Sequence, residues 1–180
     1  MKDFHTHNLQ AEPGEAIINI PREWLLRPEL FHPRKGALYS AGIHPWWTED
    51  EDATTQMTDH LPLLLRHPQV IAVGECGLDA LRGASLEEQT TVLLFQLHLA
   101  EEMRLPVTLH IVKAFDRLLH ICKQMHPQVQ WTVHGFRGKP ALARQLLTAG
   151  LNLSFGRKRN EESYLATPPE RRFEETDDCY

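Results

Sequence analysis

The sequence predicts a compact or distorted (β/α) barrel of the TIM type, and three observations lead there. Apolar, β-rich runs alternate with helical segments from residue 37 onward, the pattern of a parallel sheet covered by helices. Counting a short run at Ala16–Ile20, there are eight such strands. Five of them end in a metal-ligand residue type and then turn: Asp3-Phe4-His5-Thr6-His7, Val70 to Glu75, Leu105 to His110, Gln130 to His134 and Arg172 to Asp177. A closed parallel barrel gathers strand C-termini around one mouth, where catalytic groups collect.

Taken in order, residues 2–7 form the first strand, and period-2 geometry sends His5 and His7 to the same face. Residues 8–15 carry a Pro-Gly turn and little apolar content, so the first crossover helix is missing. Four prolines and glycines between 21 and 36 leave a loop with at most one helical turn around Trp24-Leu25-Leu26. The third strand, from Ala37, leads to Gly42-Ile43-His44-Pro45-Trp46-Trp47. Thr48 is expected to open the next helix, with Glu51 completing a capping box, and the helix ends by His67-Pro68. After the Glu75 strand, Ser85 and Glu88 form a second capping box for a helix from Leu86 to Arg104. The His110 strand leads to a helix with Phe115, Leu118, Leu119, Cys122 and Met125 on one stripe. The His134 strand leads to a helix opened by Pro140 and closed by Gly150. Leu151 to Phe155 is the seventh strand, a short helix lies near 161–165, and Arg172 to Asp177 is the eighth. Three residues follow, so a final helix is missing as well.

The 180 residues suit one domain over 1–180, although a barrel of this kind usually takes roughly 200 to 250. A net charge of -5 argues against a broad nonspecific nucleic-acid surface while leaving room for a local basic rim. Cys76, Cys122 and Cys179 form neither a disulfide framework nor a zinc ribbon, which points to a reducing cytoplasm. No apolar run approaches the length of a membrane span and no signal segment opens the chain, so a soluble protein is expected.

The strand-end set is His5, His7, Glu75, His110, His134 and Asp177. Mixed imidazole and carboxylate without thiolate suits Zn²⁺, Mn²⁺, Ni²⁺ or Fe²⁺. Six ligands exceed what one tetrahedral ion uses, whereas two ions bridged by Glu75 would use them all and supply a hydrolytic site. A lone strand histidine is more often a hydrogen-bonded core residue; the His-x-His pair and the repetition over five strands favour the metal. Cys76 alternates away from Glu75 and reads as packing. Trp46 and Trp47 are either a stacking platform for substrate or a cover for the core where a helix is missing. Lys113, Arg137, Lys139, Arg157, Lys158 and Arg159 all follow strand ends and form a candidate anion rim, although the Arg157–Arg159 run could equally be a solvated loop.

At these residues the sequence resembles the TatD family of metal-dependent hydrolases, within the amidohydrolase-like superfamily of TIM barrels. Asp3 to His7 looks like the family's D-x-H-x-H, Gly42 to Pro45 its G-x-H-P, and Gly74-Glu75-Cys76-Gly77-Leu78-Asp79 its G-E-x-G-L-D. Leu105-Pro106-Val107 through His110 is similar to L-P-V-x-x-H, His134 to Gly138 to H-x-F-x-G, and Glu175-Thr176-Asp177 to E-T-D. The resemblance implies a binuclear centre of divalent ions (Zn, Mn, Mg, Ni or Fe) and phosphodiester hydrolysis, with DNA or a smaller phosphodiester as substrate. It implies one metal on His5, His7 and Asp177, the other on His110 and His134, and Glu75 between them. Asp177 would also be the base, and His44 would face the substrate phosphate. The stretch after His110, Ile111-Val112-Lys113-Ala114-Phe115, departs from the arginine-containing stretch frequent in the family. Two further readings stand beside this one: an amide or lactone hydrolase of the same superfamily, and an inactive barrel serving as a binding module or a homodimer that covers its exposed strands.

Overall fold

The computed structural model describes residues 2–177. Eight parallel strands lie in one sheet in sequence order: β1 (Asp3–Thr6), β2 (Ala16–Asn19), β3 (Leu38–Ala41), β4 (Val70–Asp79), β5 (Val107–Val112), β6 (Trp131–Val133), β7 (Asn152–Phe155) and β8 (Arg172–Glu174). Sequential parallel neighbours of this kind require crossover connections, and helices supply most of them. These are α1 (Arg22–Leu26), α2 (Glu51–Leu65), α3 (Leu86–Met103), α4 (Phe115–Met125), α5 (Pro140–Thr148) and α6 (Glu161–Ala166). Turns alone join β1 to β2, and no helix follows β8 among the described residues, as expected from the sequence.

The sheet curls into a nearly closed barrel. The first and last strands share no ladder among the described residues, and their seam is closed by other means. Phe4 stacks on Phe173 with ring centroids 4.8 Å apart. Thr176 donates its amide to Asp3 Oδ1 at 3.0 Å and its hydroxyl to Asp3 Oδ2 at 2.6 Å, and the Asp177 amide reaches the His5 carbonyl at 3.1 Å.

The helices follow the local chemistry. Ser85 and Glu88 make the reciprocal capping box that opens α3, and Arg104 closes it in the left-handed conformation. Leu93, Leu97 and Ala100 turn one face of that helix into the core, and α3 packs on β4. Pro140 occupies the first turn of α5, and Gly150 follows it with φ +93°.

Three boundaries differ from the sequence reading. Asp50, not Thr48, caps α2 by accepting the Ala53 amide. Thr48 instead ends the 3-10 turn Pro45–Trp47, donates to the Pro45 carbonyl and accepts from the Ala84 amide, so its hydroxyl ties two loops together. β8 stops at Glu174, which leaves Asp177 beyond the strand with φ +49°. β4 and β5 both run past their site residues, to Asp79 and Val112, because Leu78 and Ile111 continue the buried ladder there.

Candidate metal centre

The cluster is built around the Glu75 carboxylate, which is 2 % exposed. β4 places it through a bulge: Val73 pairs with Val107 but Cys76 with Leu109, so three steps on β4 oppose two on β5. Glycines permit the close strand approach. A Cβ at Gly77 would fall 1.9 Å from the His110 carbonyl oxygen, and one at Gly42 would fall 2.7 Å from Gly74 Cα. The Glu75 amide donates to Asn19 Oδ1 at 2.6 Å, so the end of β2 fixes the backbone that carries the carboxylate.

Five imidazoles face that carboxylate. Oε1 is 3.1 Å from His44 Nε2, 2.8 Å from His110 Nδ1 and 2.7 Å from His134 Nε2. Oε2 is 3.3 Å from His5 Nε2 and 3.2 Å from His7 Nε2, which lie 3.3 Å from one another. Asp177 Oδ1 completes this side at 3.8 and 3.6 Å from the same two nitrogens. The shared face expected for His5 and His7 is therefore present, and all six strand-end residues meet in one place together with His44.

A second layer braces the imidazoles on the Oε1 side. His110 Nε2 lies 3.3 Å from Asp79 Oδ2, and His134 Nδ1 lies 3.5 Å from Glu175 Oε1. Asp79 is held in turn by the Trp46 indole N–H at 2.6 Å and the Leu81 amide at 2.8 Å. Glu175 accepts from the Gly135 amide and the Ser154 hydroxyl. His44 Nδ1 accepts the Trp46 amide, which leaves the imidazole proton on Nε2. Gln96 clamps the backbone just before it, accepting from the Ile43 amide and donating to the Ile43 carbonyl.

The electrostatics follow from this packing. Burial alone would raise the Glu75 carboxyl, but the charge of His134 and hydrogen bonds from His110, His134 and His44 hold it well below the usual carboxylate range. Burial opposes charge on His134 as well, yet the two carboxylates Glu75 and Glu175 raise it well above an ordinary histidine. His44, where burial outweighs Glu75, is lowered and stays neutral near pH 7. Asp79 and Glu175 are both lowered against the cost of burial, Asp79 through the Trp46 hydrogen bond and Glu175 through His134. Burial raises the thiol of Cys76, which points to the Thr108 carbonyl and takes no part in the cluster.

The donor set fits a divalent cation. Glu75 Oε2 is buried and accepts no hydrogen bond, although two imidazole nitrogens converge on it. Three groups have donor atoms close enough to share an ion: His5, His7 and Glu75; His5, His134 and Asp177; and His44, Glu75 and His110. Nitrogen and carboxylate donors without thiolate are borderline-to-hard ligands, suited to first-row divalent ions and, on the carboxylate-rich side, to Mg²⁺.

A cleft of about 470 Å³ opens onto this cluster and is lined by His110, His134, Asp177, Trp46, Lys113 and Arg137, among others. Lys139 precedes α5 and does not line it. Arg159 is engaged elsewhere, with Glu161, Glu174 and the Tyr164 ring. Trp47 packs against the core, whereas Trp46 is 42 % exposed. The residues that sequence reasoning left without a role are Asp79, Glu175 and Asn19. Asp79 and Glu175 stand in the same short motifs as Glu75 and Asp177, Gly74-Glu75-Cys76-Gly77-Leu78-Asp79 and Glu175-Thr176-Asp177, and those motifs were the available signal.

Eight parallel strands with an imidazole–carboxylate cluster at their C-terminal mouth define a TIM barrel with a candidate metal centre. Comparison with known proteins narrows the class. Residues 19–180 match the family described as TatD related DNase, and the chain belongs to that family. It is 39 % identical over 116 residues to the 3'-5' ssDNA/RNA exonuclease TatD of Erwinia amylovora, covering 63 % of this chain and 44 % of that protein. The protein of the same name from Pantoea sp. is 37 % identical over 151 residues, covering 82 % and 52 %. The chain thus spans about half the length of the curated relatives it matches. Its fold is similar to the crystal structure of a TatD homologue from Escherichia coli K12, with a TM-score of 0.73 at 24 % identity over 98 % of this chain and 78 % of the other. A TatD family hydrolase from Entamoeba histolytica gives a TM-score of 0.71 at 24 % identity, over 90 % and 60 %.

Proposed function

We propose that the chain is a divalent-metal-dependent phosphodiesterase acting on single-stranded nucleic acid. The observation that carries the reading is the division of Glu75: one oxygen faces His44, His110 and His134, and the other faces His5 and His7. On this reading His5, His7 and Asp177 would hold one ion and His110 and His134 a second, with Glu75 in reach of both. Bound divalent ions supply Lewis acidity at the phosphoryl oxygen and lower the pKa of a water toward neutrality. Asp177, at the cleft, takes the proton of the attacking water. His44 keeps its proton on Nε2, 3.1 Å from Glu75 Oε1, and would face the substrate phosphate from that side of the cluster. Lys113 and Arg137 line the cleft and meet non-bridging phosphate oxygens, with Lys139 next along the chain. The likeness to 3'-5' exonucleases supports shortening from the 3' end.

The test is metal content per chain on protein purified without chelator, paired with hydrolysis of a 5'-labelled single-stranded oligonucleotide. Two ions per chain, a ladder of products shortened at the 3' end and loss of turnover in Glu75→Ala are expected. Turnover of a lactone panel with none of phosphodiesters would replace the reading by an amide or lactone hydrolase. Absence of both metal and turnover would favour a binding module, with the uncovered Phe4–Phe173 seam as the face through which two copies meet. The reducing cytoplasm remains the compartment proposed, consistent with the buried free thiols of Cys76 and Cys122. No helix among the described residues is long and apolar enough to cross a membrane.

A further inference from the structure

The two adjacent tryptophans have different surroundings, and the difference has a functional reading. Trp47 is half-buried against the core, so it serves as cover. Trp46 leaves 42 % of its surface in solvent and lines the cleft that contains His110, His134 and Asp177. Burial does not account for an indole placed this way, since turning the side chain into the core would remove more apolar area from water.

Its orientation is fixed. The indole N–H donates to Asp79 Oδ2 at 2.6 Å, and the imidazoles of His44 and His110 meet the ring at near-right angles, with centroids 4.7 and 5.6 Å away. The aromatic surface therefore stands at the edge of the Glu75 cluster without needing to be ordered when a ligand arrives. The ring also already takes a planar partner: the guanidinium of the exposed Arg82 lies over it, 4.4 Å from the centroid. Arg82 comes from the loop after β4, the strand that supplies both Glu75 and Asp79.

We infer that Trp46 is a stacking platform for an unpaired nucleobase next to the phosphate held at the Glu75 cluster, with Arg82 giving way or closing over the base from the far side. The inference rests on the phosphodiesterase reading and adds a recognition element to it. Every base has a π-face, so the platform tolerates sequence, but a base already stacked inside a duplex cannot use it. It thereby selects single-stranded ends by what it binds, not by exclusion alone. The bond to Asp79 gives the same residue a positioning role, because Asp79 is the partner of His110.

The test compares two single-stranded oligonucleotides of equal length and charge, one bearing thymine and one abasic throughout, both with phosphorothioate linkages to slow cleavage. Affinities are measured on the metal-loaded full chain by anisotropy, and quenching of tryptophan emission is followed in parallel. The thymine strand is expected to bind tighter and to quench, and Trp46→Ala to weaken the thymine strand by about 5- to 150-fold more than it weakens the abasic strand. Trp46→Phe keeps a ring and loses the N–H, so it should retain most of the thymine-strand affinity. Equal binding of the two strands by the wild type, equal weakening of both in Trp46→Ala, or no binding of either overturns the platform. Hydrolysis of bis-p-nitrophenyl phosphate by the wild type reports separately on the phosphodiesterase reading. A base-dependent affinity without any phosphodiester turnover would leave the platform standing and remove that reading.

Discussion

The two oxygens of Glu75 have unequal surroundings. On the Oε1 side His44 accepts the Trp46 amide, His110 lies 3.3 Å from Asp79, and the buried His134 Nδ1 makes no hydrogen bond but has the Glu175 carboxylate 3.5 Å away. On the Oε2 side His5 Nδ1 is buried without a hydrogen-bond partner, and His7 and Asp177 are 28 % and 31 % exposed at their side chains. Outer partners orient ligand imidazoles and raise their basicity. The candidate ligands His110 and His134 are thus backed by carboxylates and also line the cleft with Asp177, whereas the far nitrogen of His5 has no hydrogen-bond partner.

Several measurements can break or sharpen this contrast. The largest effect is expected for Glu75→Ala, which takes a ligand from both halves. Its turnover should fall by more than the roughly 10- to 100-fold that outer partners command, and metal analysis should find both equivalents weakened. Asp79→Asn and Glu175→Gln should each lower the affinity of one equivalent by roughly 10- to 100-fold and spare the other, read as a change in one phase of a calorimetric titration. Equal weakening of both phases would show that the halves are not independent. Adding Mn²⁺ or Zn²⁺ at 100 times its dissociation constant should stabilise the fold by about 2.7 kcal/mol, which for a domain of this size raises Tm by roughly 5–10 °C. An unchanged Tm in a thermal scan would count against any preformed site. Thr176→Val, which removes a donor to Asp3 at the seam, should cost only about 1 kcal/mol in urea unfolding. A larger loss would mean that the seam governs the Oε2 half more strongly than its hydrogen bonds suggest.

Much of this was legible in the sequence, for physical reasons that differ by residue. His5 and His7 were readable because strand alternation fixes a shared face whatever the rest of the chain does. Glu75 was readable because glycines beside a carboxylate at the end of an apolar run mean close strand approach, and Gly42 and Gly77 supply it. The helices of the second half followed from capping chemistry, as at Ser85 and Pro140. Thr48 was misread because its hydroxyl serves a tertiary tie to Ala84, which local spacing cannot encode. Asp79 and Glu175 went without a role because an aspartate before a turn or a glutamate after a strand is ordinarily solvated. Only the barrel's curvature brings them against His110 and His134. The basic rim was the least legible part: Lys113 and Arg137 reach the cleft, whereas Arg159 finds acidic and aromatic partners nearer by.

The seam has a consequence for the order in which the molecule becomes competent. Asp3 and Thr176 are separated by 173 positions, and the ligands beside them, His5, His7 and Asp177, lie at opposite extremes of the described chain. During synthesis His44, Glu75, Asp79 and His110, carried by β3 to β5, can be threaded while the eighth strand is still unmade, whereas Glu175, which faces His134, arrives only after it. Glu75 already offers His5 and His7 a third donor, but Asp177 joins them only when the two outermost strands find each other, a contact with the largest loop-closure cost the chain can incur. A nascent or truncated molecule therefore lacks Glu175 and Asp177, and the full donor set is assembled last, as a report that the barrel has closed.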